Sequence, residues 1–213
     1  MSHNQLLQIY NKLYTAFGPQ DWWPARTPFE VAVGAILTQN TAWSNVEKAI
    51  VNLRRHRCLT FKAMSDISEK KLALLIRSAG YFNIKAKRLK NFIRFLGDSY
   101  QGDLGRMRRQ DAGILRRELL GVNGIGRETA DSILLYVLGK PIFVIDAYTK
   151  RMLSRHGYKT ALKDDYDVVQ QWFDRALPRE SELFNEYHAL IVKLGKDFCK
   201  KTKPRCSLCP LFK

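Results

Sequence analysis

Leu120-Gly121-Val122-Asn123-Gly124-Ile125-Gly126-Arg127-Glu128-Thr129-Ala130 sets three glycines between two segments whose apolar residues recur at helical spacing. Ala112 to Leu120 reads as a helix ahead of it, and Ala130, Ile133, Leu134, Val137 and Leu138 form the buried stripe of another behind it. The pattern is helix, tight turn, helix. Glycine opens backbone torsions closed to other residues and strips side chains from the turn, so amide groups can approach a ligand closely. The second helix points the positive end of its dipole at the same place, which makes a phosphate the natural occupant. Arg127 adjoins the turn, and Arg106, Arg108, Arg109, Arg116 and Arg117 lie upstream. Contacts to a nucleic-acid backbone, independent of base sequence, are expected of Gly121, Gly124, Gly126 and Arg127. A plain helix–helix corner would also use glycines; the arginines tip the reading toward phosphate.

The charge of the whole chain agrees. Lysine and arginine number 36 against 20 acidic residues, a net +16 spread along 213 residues instead of gathered in one tail. That describes a folded basic surface facing a polyanion. The length permits one large core or two small lobes. No apolar run approaches the roughly 20 residues needed to span a bilayer, and the N-terminus has no basic segment followed by an apolar one. No membrane partner and an intracellular location are expected. Of the four cysteines, Cys58 stands alone and reads as a packed thiol. Cys199, Cys206 and Cys209 cluster in the last fifteen residues, which favours metal or cluster ligation over disulfides.

Outward from the hairpin the chain reads as all-α. Leu6, Leu7, Tyr10, Leu13, Tyr14 and Phe17 make one stripe of a first helix, stopped by Gly18-Pro19, and the loop Trp22-Trp23-Pro24 follows. Thr27-Pro28-Phe29-Glu30 supplies an N-cap, a Pro at N1 and a Glu at N3 for a buried helix running to about Leu37. From Thr41 another helix carries Trp43, Val46, Ile50 and Leu53 on one face, and more are expected near 68–78, 85–97 and 111–120. Gly139 and Pro141 end the hairpin's second helix. The apolar segment Ile142 to Ile145 then leads to Asp146, just before a helix that begins at Ala147. A long helix from Ser181 to about Lys193 precedes the cysteine tail. His3, His56, His156 and His188 show no motif spacing and read as surface or packing residues.

Leu120 to Ala130, followed by Ile145-Asp146-Ala147-Tyr148, resembles the helix-hairpin-helix and downstream aspartate of the endonuclease III superfamily of DNA glycosylases. Gly80-Tyr81-Phe82-Asn83 with Lys85-Ala86-Lys87-Arg88-Leu89, and Leu37-Thr38-Gln39-Asn40-Thr41, resemble that superfamily too. The motifs occur in order over nearly the whole chain. The resemblance implies a six-helix barrel from about 28 to 140 and a second helical lobe combining 1–27 with 141–213, with DNA held between them. It implies base excision repair: hydrolysis of the N-glycosidic bond of a flipped-out damaged base in double-stranded DNA. A monomer in the cytoplasm, on the nucleoid in a prokaryote, is expected.

By itself, an Asp before a helix is an ordinary N-cap. The resemblance makes Asp146 also the catalytic acid that acts against the sugar. A fixed carboxylate can stabilise an oxocarbenium-like state and orient water, and a helix N-terminus keeps it ionised for that purpose. Members that also cut the strand carry a lysine at the start of the second hairpin helix, whose amine forms a Schiff base. Glu128 stands there and cannot form that adduct, so a monofunctional glycosylase without AP lyase activity is expected. Lys150 is the other amine nearby in sequence and is not expected to substitute.

Trp22, Trp23, Pro24 and Trp43, with Glu128 and Tyr148, resemble the base pocket of the 3-methyladenine DNA glycosylases of the endonuclease III-like branch. An alkylated purine is cationic, and electron-rich rings attract it. Aromatic residues of this kind also serve as core. A mismatch or uracil glycosylase of the same fold and a non-catalytic helix-hairpin-helix DNA-binding protein remain alternatives. Gln39 and Tyr81 match positions that fill the gap left by the extruded nucleotide and wedge the duplex, though each also reads as a helix-end residue. Cys199-x6-Cys206-x2-Cys209 matches the first three ligands of the superfamily's C-x6-C-x2-C-x5-C loop. This implies a [4Fe-4S] cluster in the intact protein, whose fourth cysteine would fall past Lys213; completion by a remote ligand and a vestigial cluster are the alternatives. Lys196, Lys200, Lys201, Lys203 and Arg205 would make that loop a phosphate-facing surface.

Overall fold

Thr27 starts the central helix as its side chain predicts: Oγ1 accepts the Glu30 N–H at 3.2 Å, with Pro28 at the first helical position. The computed structural model describes residues 3–212, with side chains from Gln5 on, so the side chain of His3 lies outside them. Among the described residues there are twelve α-helices and no strand, and no helix is long and apolar enough to cross a membrane. Two compact units result, Ala25–Lys140 and the stretch up to Pro24 with Pro141–Lys213.

In the first of these, α2 (Pro28–Leu37) is buried from Phe29 through Leu37. A helix apolar on all sides belongs in a core, and this one is packed by α3 (Trp43–Arg55), α6 (Phe82–Tyr100), α9 (Arg127–Ser132) and the π turn Ile133–Val137 that continues α9. Glu30 is the exception to its apolarity. Its Oε1 takes Arg54 Nη2 of α3 at 2.6 Å, so the N3 acid pairs sideways as well as standing in the first turn. On α3 the buried face is Val46, Ala49, Ile50 and Leu53, while Trp43 stays half-exposed. The remaining longer helices are α5 (Glu69–Leu75) and α8 (Ala112–Gly121). Two short ones, α4 (Phe61–Asp66) and α7 (Leu104–Arg108), were not expected from the sequence. They are too brief for apolar periodicity to register, but each has a side-chain cap, Thr60 accepting from Ala63 N and Asp103 from Gly105 N. The two hairpin helices are tied by Asp131, fully buried, which takes Arg116 Nε and Nη2 at 2.8 and 3.1 Å. A bidentate pair of this kind fixes an angle as well as a distance.

In the second unit, α1 (His3–Phe17) packs on α11 (Tyr166–Ala176) and α12 (Ser181–Asp197). Leu6 and Leu13 are fully buried, and Tyr187 Oη donates to Leu6 O at 2.9 Å. Phe143 stacks on Phe173 with ring centres 3.8 Å apart, and Phe184 and Tyr187 meet its edge. Phe143 lies in the buried segment Ile142–Ile145, which has no regular secondary structure. A buried backbone of that kind must find partners, and α11 provides them: Ile145 N donates to Tyr166 Oη, and Gln170 Nε2 donates to Phe143 O. The segment delivers Asp146 to the start of α10 (Ala147–Arg155).

Candidate active site and DNA-binding hairpin

Of the three hairpin glycines, one is structurally obligatory. Gly124 has φ +95, and a Cβ on it would overlap Arg88 Cγ; Gly121 and Gly126 have open space at that place. Arg88 crosses the turn and its Nη1 donates to Gln39 Oε1 at 2.5 Å. The Gln39 amide nitrogen donates in turn to Gly124 O at 3.0 Å and Thr129 Oγ1 at 2.9 Å. Gln39 is thus tied by its amide nitrogen to the hairpin and by its amide oxygen to Arg88 of α6. Buried Val122 and Ile125 anchor the turn, while Gly126, Arg127 and Glu128 are exposed at the start of α9, where Gly126 gives no side-chain cap.

Beside Gln39, Asn40 is exposed with φ +51, and in the next loop Tyr81 is 70% exposed with φ +45 as the residue before α6. A left-handed torsion costs a residue such as tyrosine roughly 1–2 kcal/mol, while asparagine tolerates it better, so it is Tyr81 that its surroundings hold in place. Asn40 was not singled out by the sequence. The signal available was only its place next to Gln39.

Asp146 caps α10. Its Oδ1 accepts the Thr149 N–H at 2.7 Å and the Thr149 hydroxyl at 2.9 Å, and its Oδ2 lies 3.6 Å from His188 Nε2. The side chain is 12% exposed. Burial pushes the carboxyl up, but His188 and the two Thr149 hydrogen bonds together outweigh it and hold Asp146 below the ordinary carboxylate value. The group is therefore an anion at neutral pH. His188 is a residue the sequence reading passed over. It sits on the buried face of α12 with Phe184, Tyr187 and Ile191, against the edge of Phe143, and a histidine in register with such a face was the signal available. Next to Asp146, the half-buried Tyr148 ring lies on Gly195 of α12, where a Cβ would overlap the ring, and the Arg151 guanidinium carbon stands 4.9 Å from the ring centre.

The other expected pocket residues divide between the units. Trp22 and Trp23, half-buried with ring centres 5.3 Å apart, and exposed Pro24 belong with Asp146 and Tyr148. Lys196 Nζ stands 5.5 Å from the Trp22 ring centre. Trp43 and Glu128 belong to the hairpin's unit, where Trp43 Nε1 donates to Glu47 Oε1 at 2.7 Å.

Cys199 is buried, with Arg155 Nη1 3.2 Å from its sulfur and Arg151 Nε donating to its carbonyl; Cys206 is exposed and Cys209 half-buried. Burial raises the Cys209 thiol. Among the described residues, no three His, Cys, Asp or Glu side chains are grouped as a metal ion requires. Three thiolates also leave one iron of a four-iron cluster without its cysteine. The residues present do not fit a fully ligated [4Fe-4S] cluster, and no chemistry below runs through one.

The family described as HhH-GPD superfamily base excision DNA repair protein matches residues 33–178. A Methanocaldococcus jannaschii chain assigned as a DNA repair glycosylase is 50% identical, covering 97% of this chain and 93% of its own length. A thymine/uracil-DNA glycosylase of Pyrobaculum aerophilum is 28% identical over 94% of this chain and 85% of its own. Among solved structures, a Helicobacter pylori 3-methyladenine DNA glycosylase bound to 1,N6-ethenoadenine superposes with a TM-score of 0.81 at 28% identity, covering 92% of this chain and 98% of that one. With its hairpin, its buried capping aspartate and these relatives, the chain belongs to the HhH-GPD superfamily of base excision DNA repair proteins, as a DNA glycosylase.

Proposed function

We propose that the protein is a monofunctional glycosylase that hydrolyses the N-glycosidic bond of a flipped-out base in double-stranded DNA and leaves the strand intact. The observation that carries this reading is the state of Asp146: nearly buried, one oxygen fixed by Thr149, and held ionised. Loss of the base leaves positive charge on the sugar, and a preorganised anion lowers the energy of that state without reorganising. Water is the nucleophile. Glu128 occupies the start of α9, and a carboxylate cannot form a Schiff base. The ammonium of Lys150 donates to Asp164 O at 2.6 Å, a commitment that argues against its serving as the missing amine. Gripping of the DNA backbone falls to Gly124, Gly126 and Arg127. Because the Gln39 amide is bonded to the hairpin, exposed Asn40 is the better candidate to fill the gap in the duplex, with Tyr81 as the wedge.

For the base itself, Trp22, Trp23, Pro24, Trp43, Glu128 and Tyr148 support an alkylated purine, as does the likeness to the Helicobacter pylori 3-methyladenine enzyme. One observation favours a second reading, release of uracil or of mismatched thymine. The Lys196 ammonium already lies against Trp22. A cation there opposes a cationic purine stacked on the same ring and suits a pyrimidine that departs as an anion. Purified protein would be incubated with duplexes bearing 3-methyladenine, or uracil or thymine opposite guanine, scoring free base and strand breaks separately. Base release with breaks appearing only after alkali is expected. Breaks without alkali would refute the monofunctional reading, and no release from any duplex would refute the enzyme.

A further inference from the structure

Lys85 lies in the first turn of α6 and is 1% exposed, the largest cationic side chain among those fully buried. Its Nζ donates to Leu37 O at 2.7 Å, to Ala79 O at 2.8 Å and to Thr41 Oγ1 at 2.5 Å. An ammonium has three donors, and these three acceptors use them all; none is a carboxylate. The Thr41 hydroxyl donates in turn to Ala79 O at 2.6 Å, closing the knot. Burying a charge with no counter-ion is expensive, and the expense is visible in a pKa lowered to about 8, by burial first and by nearby Arg88 second. A leucine would pack α2 against α6 without that cost.

The three acceptors show what the charge achieves. Leu37 O closes α2 at the negative end of its dipole, Thr41 ends the loop that carries Gln39 and Asn40, and Ala79 precedes Gly80 and Tyr81. Tyr81 holds a left-handed torsion at φ +45, directly after Gly80 at φ +66, and Asn40 stands at φ +51; of the three, tyrosine is the residue type for which such a torsion is strained. Strained backbone persists only where its surroundings over-determine it. Extruding a paired base costs a few kcal/mol of unpairing and unstacking, and inserted residues can drive that only if the loops behind them do not yield. Building on the glycosylase reading above, we propose that Lys85 is a positioning residue: its ammonium fastens the 38–41 loop and the 79–81 turn into one rigid insertion element on which extrusion of a paired base depends.

The test uses the full chain with Lys85→Met, Lys85→Arg and, as a milder cut at the same knot, Thr41→Val. Extrusion is read from the fluorescence of 2-aminopurine paired with thymine in a duplex, and excision from duplexes carrying 1,N6-ethenoadenine opposite thymine or deoxyuridine opposite guanine, beside the same strands left unpaired. Wild-type protein should brighten the 2-aminopurine duplex. Lys85→Met should abolish the brightening and slow excision from the paired substrate by tenfold or more, while excision from the unpaired strand changes less than twofold. Lys85→Arg should recover part of the loss, and Thr41→Val should show a smaller loss in the same direction, which keeps the test open if Lys85→Met does not fold. Equal losses on paired and unpaired strands, or undiminished brightening, would overturn the proposal, as would a wild type that never brightens the duplex. A wild type that brightens it but releases no base sinks the glycosylase reading and leaves the role of Lys85 standing.

Discussion

Helices α8 and α10 begin alike, each on an aspartate, and the two aspartates end in different circumstances. Asp111 stands in solvent, its Oδ1 accepting the N–H groups of Gly113 at 2.8 Å and Ile114 at 3.0 Å. Asp146 makes the same kind of cap through Oδ1 to Thr149, but its Oδ2 points at His188 in a nearly closed setting. Both carboxyls are held below the ordinary value, Asp111 chiefly by the Ile114 N–H and Asp146 against the opposing effect of burial. Capping occupies one oxygen. What separates a cap from a reacting group is the surroundings of the other oxygen, and those are supplied by α12, far along the chain.

The largest expected effect that could break this contrast is on catalysis. Asp146→Asn should slow base release by roughly 100-fold or more with little change in melting temperature, because asparagine caps a helix about as well as aspartate; Asp111→Asn should leave release unchanged. Comparable losses in the two variants would abolish the distinction. Next comes the packing that only Asp146 has nearby. Gly195→Ala should push the Tyr148 ring off α12 and destabilise the protein by about 1–3 kcal/mol in denaturant titration, whereas Gly113→Ala, on the Asp111 side, should be milder. A third measurement concerns pH. The Asp146 pKa is depressed in the folded state, so the ionised form persists as pH falls and is lost only on passing through that lowered value. Removing the imidazole that lowers it with His188→Gln should raise it, moving the acid limb of base release to higher pH. A limb that stays put or moves down would show that His188 does not act on Asp146. The smallest effect is Asp111→Ala, expected to lower the melting temperature by roughly 2–4 °C at an unchanged rate of release.

The parts of the molecule that could be read from sequence are those whose cause is local. Thr27-Pro28 announced α2, the glycines announced the hairpin, and Asp146 announced α10, because caps and turns are settled by residues a few positions apart. Helix α11 was not expected, since its buried face mixes Val169 and Phe173 with Gln170 and Ala176 and so dilutes the apolar stripe. Its polar member is the one that satisfies Phe143 O. The same holds for Lys85 and His188. Each is a polar residue on a buried face, and its meaning lies in partners brought from other elements, Leu37, Thr41 and Ala79 for one and Asp146 for the other. Gln39 was legible as a residue of interest, but the tie of its amide nitrogen to the hairpin and of its amide oxygen to Arg88 was not.

The path of the chain carries a consequence for synthesis. Residues Ala25–Lys140 form one unbroken unit, while the other is assembled from both sides of it. On a ribosome the unbroken unit can fold as soon as it emerges. Helix α1 cannot bury its apolar face in the same way, because Leu6 awaits Tyr187, which follows 181 residues later. At about 5–20 residues per second that interval is roughly 10–35 s, during which the stripe of Leu6 and Leu13 stays uncovered. A segment made early is thus among the last to find its place, and a nascent chain stalled short of α12 would present that stripe to whatever binds exposed apolar helices in the cell.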